Sequence, residues 1–217
     1  MQTPIVLSIQ VGMPDEHGPD VISKKSWQSG IFKYPVEGRI WLDTLNLAGD
    51  GQQDLHNHGG PFRALLTYSA EHYPTWRDEL ARPEFPYGAF GENLTVTQLD
   101  ETSVYLGDIY AVGEALVQVT QPRMPCWKLA RRWEIKDLTA RVDAHQWGGW
   151  YQRVLKPGYI EAGDTYQRVE MGNPRYPIQR LYTLGAEREG SQEAFAELSQ
   201  SEVLTPSWRE WFAKKLG

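Results

Sequence analysis

The pattern of apolar and polar positions predicts a chain of short β-strands up to about residue 172. Runs of β-branched and aromatic residues are separated by glycine or proline, as is typical of strands joined by tight turns. The predicted strands cover residues 5–11, 31–34, 39–42, 64–68, 93–97, 104–112, 115–121, 150–155, 159–160 and 165–169. Because they do not alternate regularly with helices, the pattern favours a mainly β, barrel-like sheet with inserted helices over a doubly wound α/β fold.

Helical stretches interrupt this succession of strands. The predicted helices cover residues 70–80, 126–133 and 137–146. Ser69 is suited to cap the first helix, which Pro74 should break or kink, and Gly148-Gly149 should stop the third. The polar, glycine-rich residues 45–61 predict a long loop, and a loop of this length inside a compact domain is usually functional or disordered.

After residue 172 the apolar residues recur at helical spacing. Thr205-Pro206 is typical of an N-cap followed by proline at the first helical position. We therefore predict a β-barrel domain over residues 1–172 and a small three-helix domain over residues 173–217. The aromatic stripe of the last helix should pack against the main domain, although it would also suit a dimer contact or a partner.

Composition limits the classes of function. The 217 residues carry a net charge of −6, which argues against a general nucleic-acid binder. No apolar run reaches the ~20 residues needed to span a bilayer, and the first residues do not resemble a signal peptide. A single cysteine excludes an intrachain disulfide. We therefore expect a cytoplasmic protein without a membrane partner.

The lone cysteine, Cys126, is the strongest candidate for chemistry. It follows a predicted strand and stands at the start of a predicted helix, with Arg123 and Lys128 nearby. Partial positive charge at a helix start and these cations favour the thiolate, which attacks electrophiles or binds a soft metal. The alternative is a buried, inert cysteine.

Two further segments are candidates for ligand binding. In residues 56–63, Gly59 and Gly60 would let backbone N–H groups approach a ligand, and Arg63 can form paired hydrogen bonds with a phosphate. His56 and His58 lack further zinc ligands at convincing spacing. The alternative for this segment is a surface turn.

In residues 88–94, Asn93 could fix a loop or bind the edge of a heterocycle, and Glu92 could accept hydrogen bonds from ring N–H groups. A plain glycine turn is the alternative. The pair Arg131-Arg132 could face an anion, although such a pair is more often a solvated face.

Taken together, the motifs resemble those of the MOSC domain family, in its YiiM-like branch. The matching residues are 58–61 (HGGP), 91–94 (GENL), 107–108 (GD), 121–123 (QPR), 125–129 (PCWKL), 149–151 (GWY) and 163–164 (GD). The helical tail resembles the three-helix domain that follows MOSC in YiiM-like proteins. The resemblance covers almost the whole chain.

The resemblance implies the molybdenum cofactor, a molybdopterin, and reduction of N-hydroxylated compounds such as hydroxylaminopurine-type bases. It implies Cys126 as catalytic residue and molybdenum ligand. The candidates for the cofactor pocket are His58, Gly59, Gly60, Arg63, Asn93, Arg123 and Lys128. The family loop often has aspartate after HGGP, whereas this chain has Phe62 and so offers no carboxylate at that position.

No flavin, haem or iron–sulfur motif is visible, so a separate reductase should supply electrons. A homodimer is one arrangement left open. The main alternative function is a non-catalytic carrier of the cofactor or of a persulfide sulfur on Cys126. A cysteine hydrolase pairing Cys126 with His58 or His145 is a further alternative.

Overall fold

The computed structural model describes residues 3–187 and 190–216. Its strands are β1 (Val6–Val11), β2 (Asp15–His17), β3 (Trp27–Ser29), β4 (Tyr34–Pro35), β5 (Ile40–Leu42), β6 (Leu65–Ser69), β7 (Leu94–Val96), β8 (Ile109–Val112), β9 (Ala115–Pro122), β10 (Trp150–Lys156), β11 (Gly158–Ile160) and β12 (Tyr166–Glu170). Its helices are α1 (Leu55–His58), α2 (Tyr73–Glu79), α3 (Trp127–Trp133), α4 (Leu138–His145), α5 (Ile178–Glu187), α6 (Gln192–Ser199) and α7 (Pro206–Ala213).

Eight strands form one sheet in the order β12-β8-β9-β10-β6-β7-β1-β4. All neighbours in this sheet are antiparallel except β6 and β7, which are parallel. The sheet curls back on itself, because Ile5 before β1 bridges Thr165 before β12, and the amide of Tyr166 donates to Pro4 O at 2.8 Å. The mainly β, barrel-like prediction is thus confirmed.

Successive side chains of a strand point to opposite faces of the sheet, so the barrel wall has an apolar inner face and an outer face that is free to border a cleft. Trp150 in β10 is fully buried with Val117 and Val119 of β9 in the main core. The next residue, Tyr151, points to the opposite face, where it lines a cleft. Packing of Trp150 in the core therefore fixes the position of Tyr151 on the opposite face of β10.

A second, aromatic core lies between this outer face and helices α2, α3 and α4. Tyr68, Tyr73 and Phe90 pack there with Leu129 and Leu138. It anchors the loop before β7 and the start of α3, so both border the cleft from fixed positions.

The predicted helices are present with different ends. The first is split into a 3₁₀ turn over Ala70–His72 and helix α2, and Ser69 caps the turn by accepting from Glu71 N. Helix α4 ends at His145 and is capped by Gln146, which lies in the left-handed region with φ of 59°, before the predicted glycine stop is reached.

Other elements differ more from the sequence prediction. Strand β8 covers only the end of predicted strand 104–112, and β4 overlaps predicted strand 31–34 at a single residue. The β2–β3 hairpin was not predicted. Helix α1 lies inside the predicted loop 45–61, where Asp54 caps it by accepting from Asn57 N at 3.1 Å.

The three predicted tail helices are present as α5, α6 and α7, and residues 188–189 between α5 and α6 lie outside the described residues. Leu181, Phe195 and Phe212 belong to the same buried cluster as the barrel interior. The tail therefore packs against the barrel, as expected, while the boundary between residues 172 and 173 stays a prediction. No helix in the described ranges has the length and apolar character needed to cross a bilayer.

Candidate functional site

A cleft opens on the outer face of the barrel beside β6 and β10. Segments distant in sequence line it, among them the β3–β4 connection, the loop and helix α1 before β6, the loop before β7, and the start of α3. Its lining residues are Ser29, Gly30, Ile31, Lys33, Gly51, Gln52, Gln53, Asp54, His58, Arg63, Leu66, Phe90, Gly91, Asn93, Arg123, Cys126, Lys128 and Tyr151.

The Cys126 thiol is half-buried and faces this cleft. The residue is the N-cap of α3, with an extended backbone, and its side chain makes no capping hydrogen bond to the helix. Burial alone would raise the pKa of the thiol. A hydrogen bond from His58, the charges of Arg123 and His58 and the Lys128 amide outweigh burial and lower this pKa to about 7. Near neutral pH a large fraction is therefore thiolate.

Besides Lys33, three cationic side chains line the same cleft. Arg123 is buried and its Nη2 donates to Phe90 O at 3.1 Å, whereas its Nη1 has no hydrogen-bond partner within the described residues. Arg63 donates to His56 O at 3.3 Å, and Lys128 donates to Gln53 at 3.2 Å. Buried donors without partners are rare, so Arg123 Nη1 indicates a place for an acceptor that a ligand supplies.

A buried ion pair forms another part of the wall. Lys33 and Asp50 are paired, and the Asp50 carboxylate also accepts from Gly12 N at 2.8 Å and from Asn93 Nδ2 at 2.9 Å. The side-chain oxygen of Asn93 accepts from Leu66 N at 3.1 Å. Asn93 lines the cleft as predicted, but both ends of its amide bind protein groups.

The structure brings together most, but not all, of the predicted site residues. His58, Arg63, Asn93, Arg123, Cys126 and Lys128 all line the cleft, whereas Gly59 and Gly60 do not. Gly60 has φ of 86°, and a Cβ on Gly59 would lie 2.9 Å from Leu55 atoms. These two glycines therefore shape the turn after α1 and place the neighbouring His58.

Other candidates have structural partners away from the cleft. Glu92 is fully buried and accepts from Tyr73, from Gly88 N at 2.6 Å and from Phe90 N at 3.1 Å, which fixes the loop before β7. The suggestion that it binds ring N–H groups of a ligand is not supported, because its oxygens are already occupied. The ring of Phe62 lies 5.5 Å from the Arg153 guanidinium and does not line the cleft.

The arginine pair after Cys126 also binds protein groups. Arg131 pairs with Asp20, and Arg132 donates to the carbonyls of Ile31 and Gly88 at 2.5 and 2.6 Å. His145 pairs with Glu79 at 2.8 Å outside the cleft, so of the two histidines considered for a thiol hydrolase only His58 lies beside Cys126.

The sequence pattern did not indicate the Lys33–Asp50 pair or the glycines Gly30 and Gly51 of the cleft wall, whereas Gly91 lies in the predicted segment 88–94. Lys33 lay inside a predicted strand, and Asp50 inside a loop rich in polar residues. One available signal was the charged side chain within an otherwise apolar run at residues 31–34. The cleft can hold a soft metal or an electrophile at the Cys126 sulfur, and its cationic side chains can bind an anionic group nearby.

The comparisons with known proteins agree with this geometry. The profile of the MOSC domain matches residues 54–167, which include Cys126 and most of the cleft. The chain is 38% identical to the uncharacterized protein YflK of Bacillus subtilis over 97% of this chain and 93% of YflK. It is 35% identical to protein YiiM of Escherichia coli over 86% of this chain and 84% of YiiM.

A fungal protein named reductase, from Gibberella moniliformis, is 35% identical over 79% of this chain but only 31% of its own length. Among solved structures, YiiM from Geobacillus stearothermophilus superposes with a TM-score of 0.80 and 33% identity. That match covers 99% of this chain and 100% of the YiiM chain.

Proposed function

The chain belongs to the MOSC domain family, and we propose that it is a molybdenum-cofactor-binding oxidoreductase that reduces N-hydroxylated compounds. Family membership supports a molybdenum-cofactor-associated function. The observation that carries the finer proposal is the Cys126 thiol, which faces a cleft beside His58 and the free Nη1 of Arg123.

The residues present fit such a cofactor. Thiolate is a soft ligand that suits molybdenum, and the lowered pKa of Cys126 makes the thiolate available at neutral pH. A pterin phosphate needs hydrogen-bond donors and positive charge. Arg63, Arg123 and Lys128 provide both in the same cleft as the sulfur.

Each side chain can then be given a task. Cys126 would ligate the metal, and the hydrogen bond from His58 would keep its sulfur deprotonated. Arg63 and Arg123 would hold the phosphate, because a guanidinium forms paired hydrogen bonds and keeps its charge. When bound, the cofactor supplies two-electron oxygen-atom-transfer chemistry, while the protein binds, orients and tunes it.

Reduction of an N–O bond consumes two electrons per substrate molecule. We propose that a separate reductase delivers them to this chain. The relative named reductase supports a redox role, and the match covers less than a third of that longer protein. Most of the fungal reductase is therefore outside its match to this chain.

The test combines metal content with turnover. Protein made in a host that synthesises the cofactor is expected to contain molybdenum and to reduce 6-hydroxylaminopurine with a chemical electron donor. Cys126→Ala should lose both, because no other residue offers a thiolate, and Cys126→Ser controls for the loss of a polar side chain. Loaded wild-type protein without turnover on N-hydroxylated purines would refute the proposal.

The carrier alternative predicts a different outcome. Mass spectrometry of Cys126 would then show a persulfide on protein that contains no molybdenum. Bound cofactor without turnover would also favour a carrier over an enzyme.

A further inference from the structure

We propose that Lys33 is the proton donor for N–O bond cleavage in this cleft. The inference rests on the proposed function and adds a catalytic residue to it. In the net reaction, the N–O bond breaks, two electrons arrive from the reductase partner and two protons are taken up. An amine and one water molecule are formed. Lys33 gives one of the two protons and regains it from solvent through the open cleft.

The position of Lys33 supports this role. The residue is 8% exposed and lines the cleft. Within the described residues, its Nζ makes one side-chain hydrogen bond, to Asp50, although an ammonium carries three donors. Lys33 therefore has donor capacity beyond its bond to Asp50 and belongs to the lining of the cleft.

The geometry of Asp50 supports a fixed orientation of the donor. Its carboxylate is fully buried and held by Gly12 N and by Asn93, so it cannot swing away from Lys33. A buried ion pair contributes little net stability, because removing two charges from water is costly. Such a pair on a cleft wall is therefore better explained by function.

The other donors in the cleft are less suited to proton transfer. Arg63 and Arg123 do not lose protons in proteins and serve better as anion holders. Burial is the largest influence on Tyr151 and raises the pKa of its hydroxyl. His58 interacts with the Cys126 sulfur. Lys128 is less buried than Lys33 and pairs with the neutral Gln53 instead of a buried carboxylate, so its ammonium is held less firmly.

Burial and nearby charges together set the pKa of Lys33, and with it the pH range in which Lys33 can donate a proton. Burial is the main influence and lowers the pKa of Lys33 from its ordinary value, while Asp50 opposes this. Of the more distant charges, Arg132 lowers this pKa and Glu92 raises it. Further titratable groups that line the cleft are Asp54, His58, Arg63, Arg123, Cys126, Lys128 and Tyr151. Because the protonated form is needed, turnover should fall as pH rises through a pKa below that of an ordinary lysine.

The experiment compares loaded wild-type protein with Lys33→Met and Lys33→Arg, using 6-hydroxylaminopurine and reduced methyl viologen. Lys33→Met should keep wild-type molybdenum content and KM, lose about 100-fold in kcat, and lose the alkaline fall in its pH profile. Lys33→Arg should be similarly slow, because it keeps the charge and cannot release the proton. The exposed Lys24→Met is the control that should match wild type.

Four results would overturn the role of Lys33. They are wild-type kcat in Lys33→Met, wild-type kcat in Lys33→Arg, persistence of the alkaline fall in Lys33→Met, and loss of molybdenum from Lys33→Met with folding intact. The last would make Lys33 a cofactor-binding residue instead. If Lys33→Met fails to fold, Lys33→Arg decides the question. Loaded wild-type protein without turnover would instead refute the proposed function, and this role with it.

Discussion

At the scale of single residues, the reactivity of Cys126 is set by His58, which is distant in sequence, and by Arg123 and the Lys128 amide, which are close to it in sequence. We expect alkylation of the cofactor-free protein by iodoacetamide to accelerate with rising pH around a midpoint of about 7, because only the thiolate reacts. His58→Ala should move this midpoint upward, since it removes a hydrogen bond and a charge that favour the thiolate, while burial remains. The alkylation rate at each pH is measured by mass spectrometry of samples quenched at successive times.

Lys24→Met changes an exposed cation away from the cleft and should leave the midpoint unchanged. A midpoint near that of a free thiol in wild-type protein would contradict the structure. An unchanged midpoint in His58→Ala would show that Arg123 and the Lys128 amide suffice.

The sequence identified the residues that carry distinctive chemistry, and missed those that depend on long-range pairing. A lone cysteine between two cations signals its own chemistry, so Cys126, Arg123 and Lys128 could be predicted. Lys33 and Asp50 are 17 positions apart and become a site only when the fold joins them. Gly59 and Gly60 were assigned to a pocket although their backbone conformation serves a turn.

At the scale of elements, the helix that carries Cys126 ends at a residue with a strained backbone. Glu134 caps α3 with φ of 58° and ψ of 30°, a left-handed conformation that costs non-glycine residues about 1–2 kcal/mol. Glu134→Gly should therefore raise the free energy of unfolding by about 1 kcal/mol, after allowing for the greater flexibility of glycine in the unfolded chain. Urea denaturation measures the change.

Lys136→Gly is the matched control, because Lys136 is exposed and is not among the residues with positive φ. It should lower the free energy of unfolding. A decrease of similar size in Glu134→Gly would show that the left-handed cap does not strain the chain.

Elements with a strong periodic pattern were predicted, and those defined by local capping or pairing were not. Strands β1, β9 and β10 have runs of β-type residues long enough to be recognised. The three-residue strands β2 and β3 exist because they pair with each other, and nothing in either run alone indicates a strand. Helix α1 is four residues long, too short for a periodic pattern, and depends on the Asp54 cap.

At the scale of the whole molecule, the tail helices and the barrel form one hydrophobic core. Phe212 of α7 is fully buried in the same cluster as Val104 and Leu106 of the barrel. Polar contacts reinforce this, since Thr205 pairs with Gln121 at 2.6 Å. Although the chain was divided into two predicted domains, its packing argues for joint unfolding.

Phe212→Ala tests this directly. Removing a buried phenylalanine side chain costs about 3–5 kcal/mol, because a cavity remains. If barrel and tail share one core, the urea transitions followed by far-UV circular dichroism and by tryptophan fluorescence should coincide and move together to lower urea. Val169→Ala, at a residue that is 53% exposed, should leave both nearly unchanged. If only part of the signal moved in Phe212→Ala, the tail would be a separate folding unit, and its packing would not contribute to the stability of the barrel that carries the Cys126 cleft.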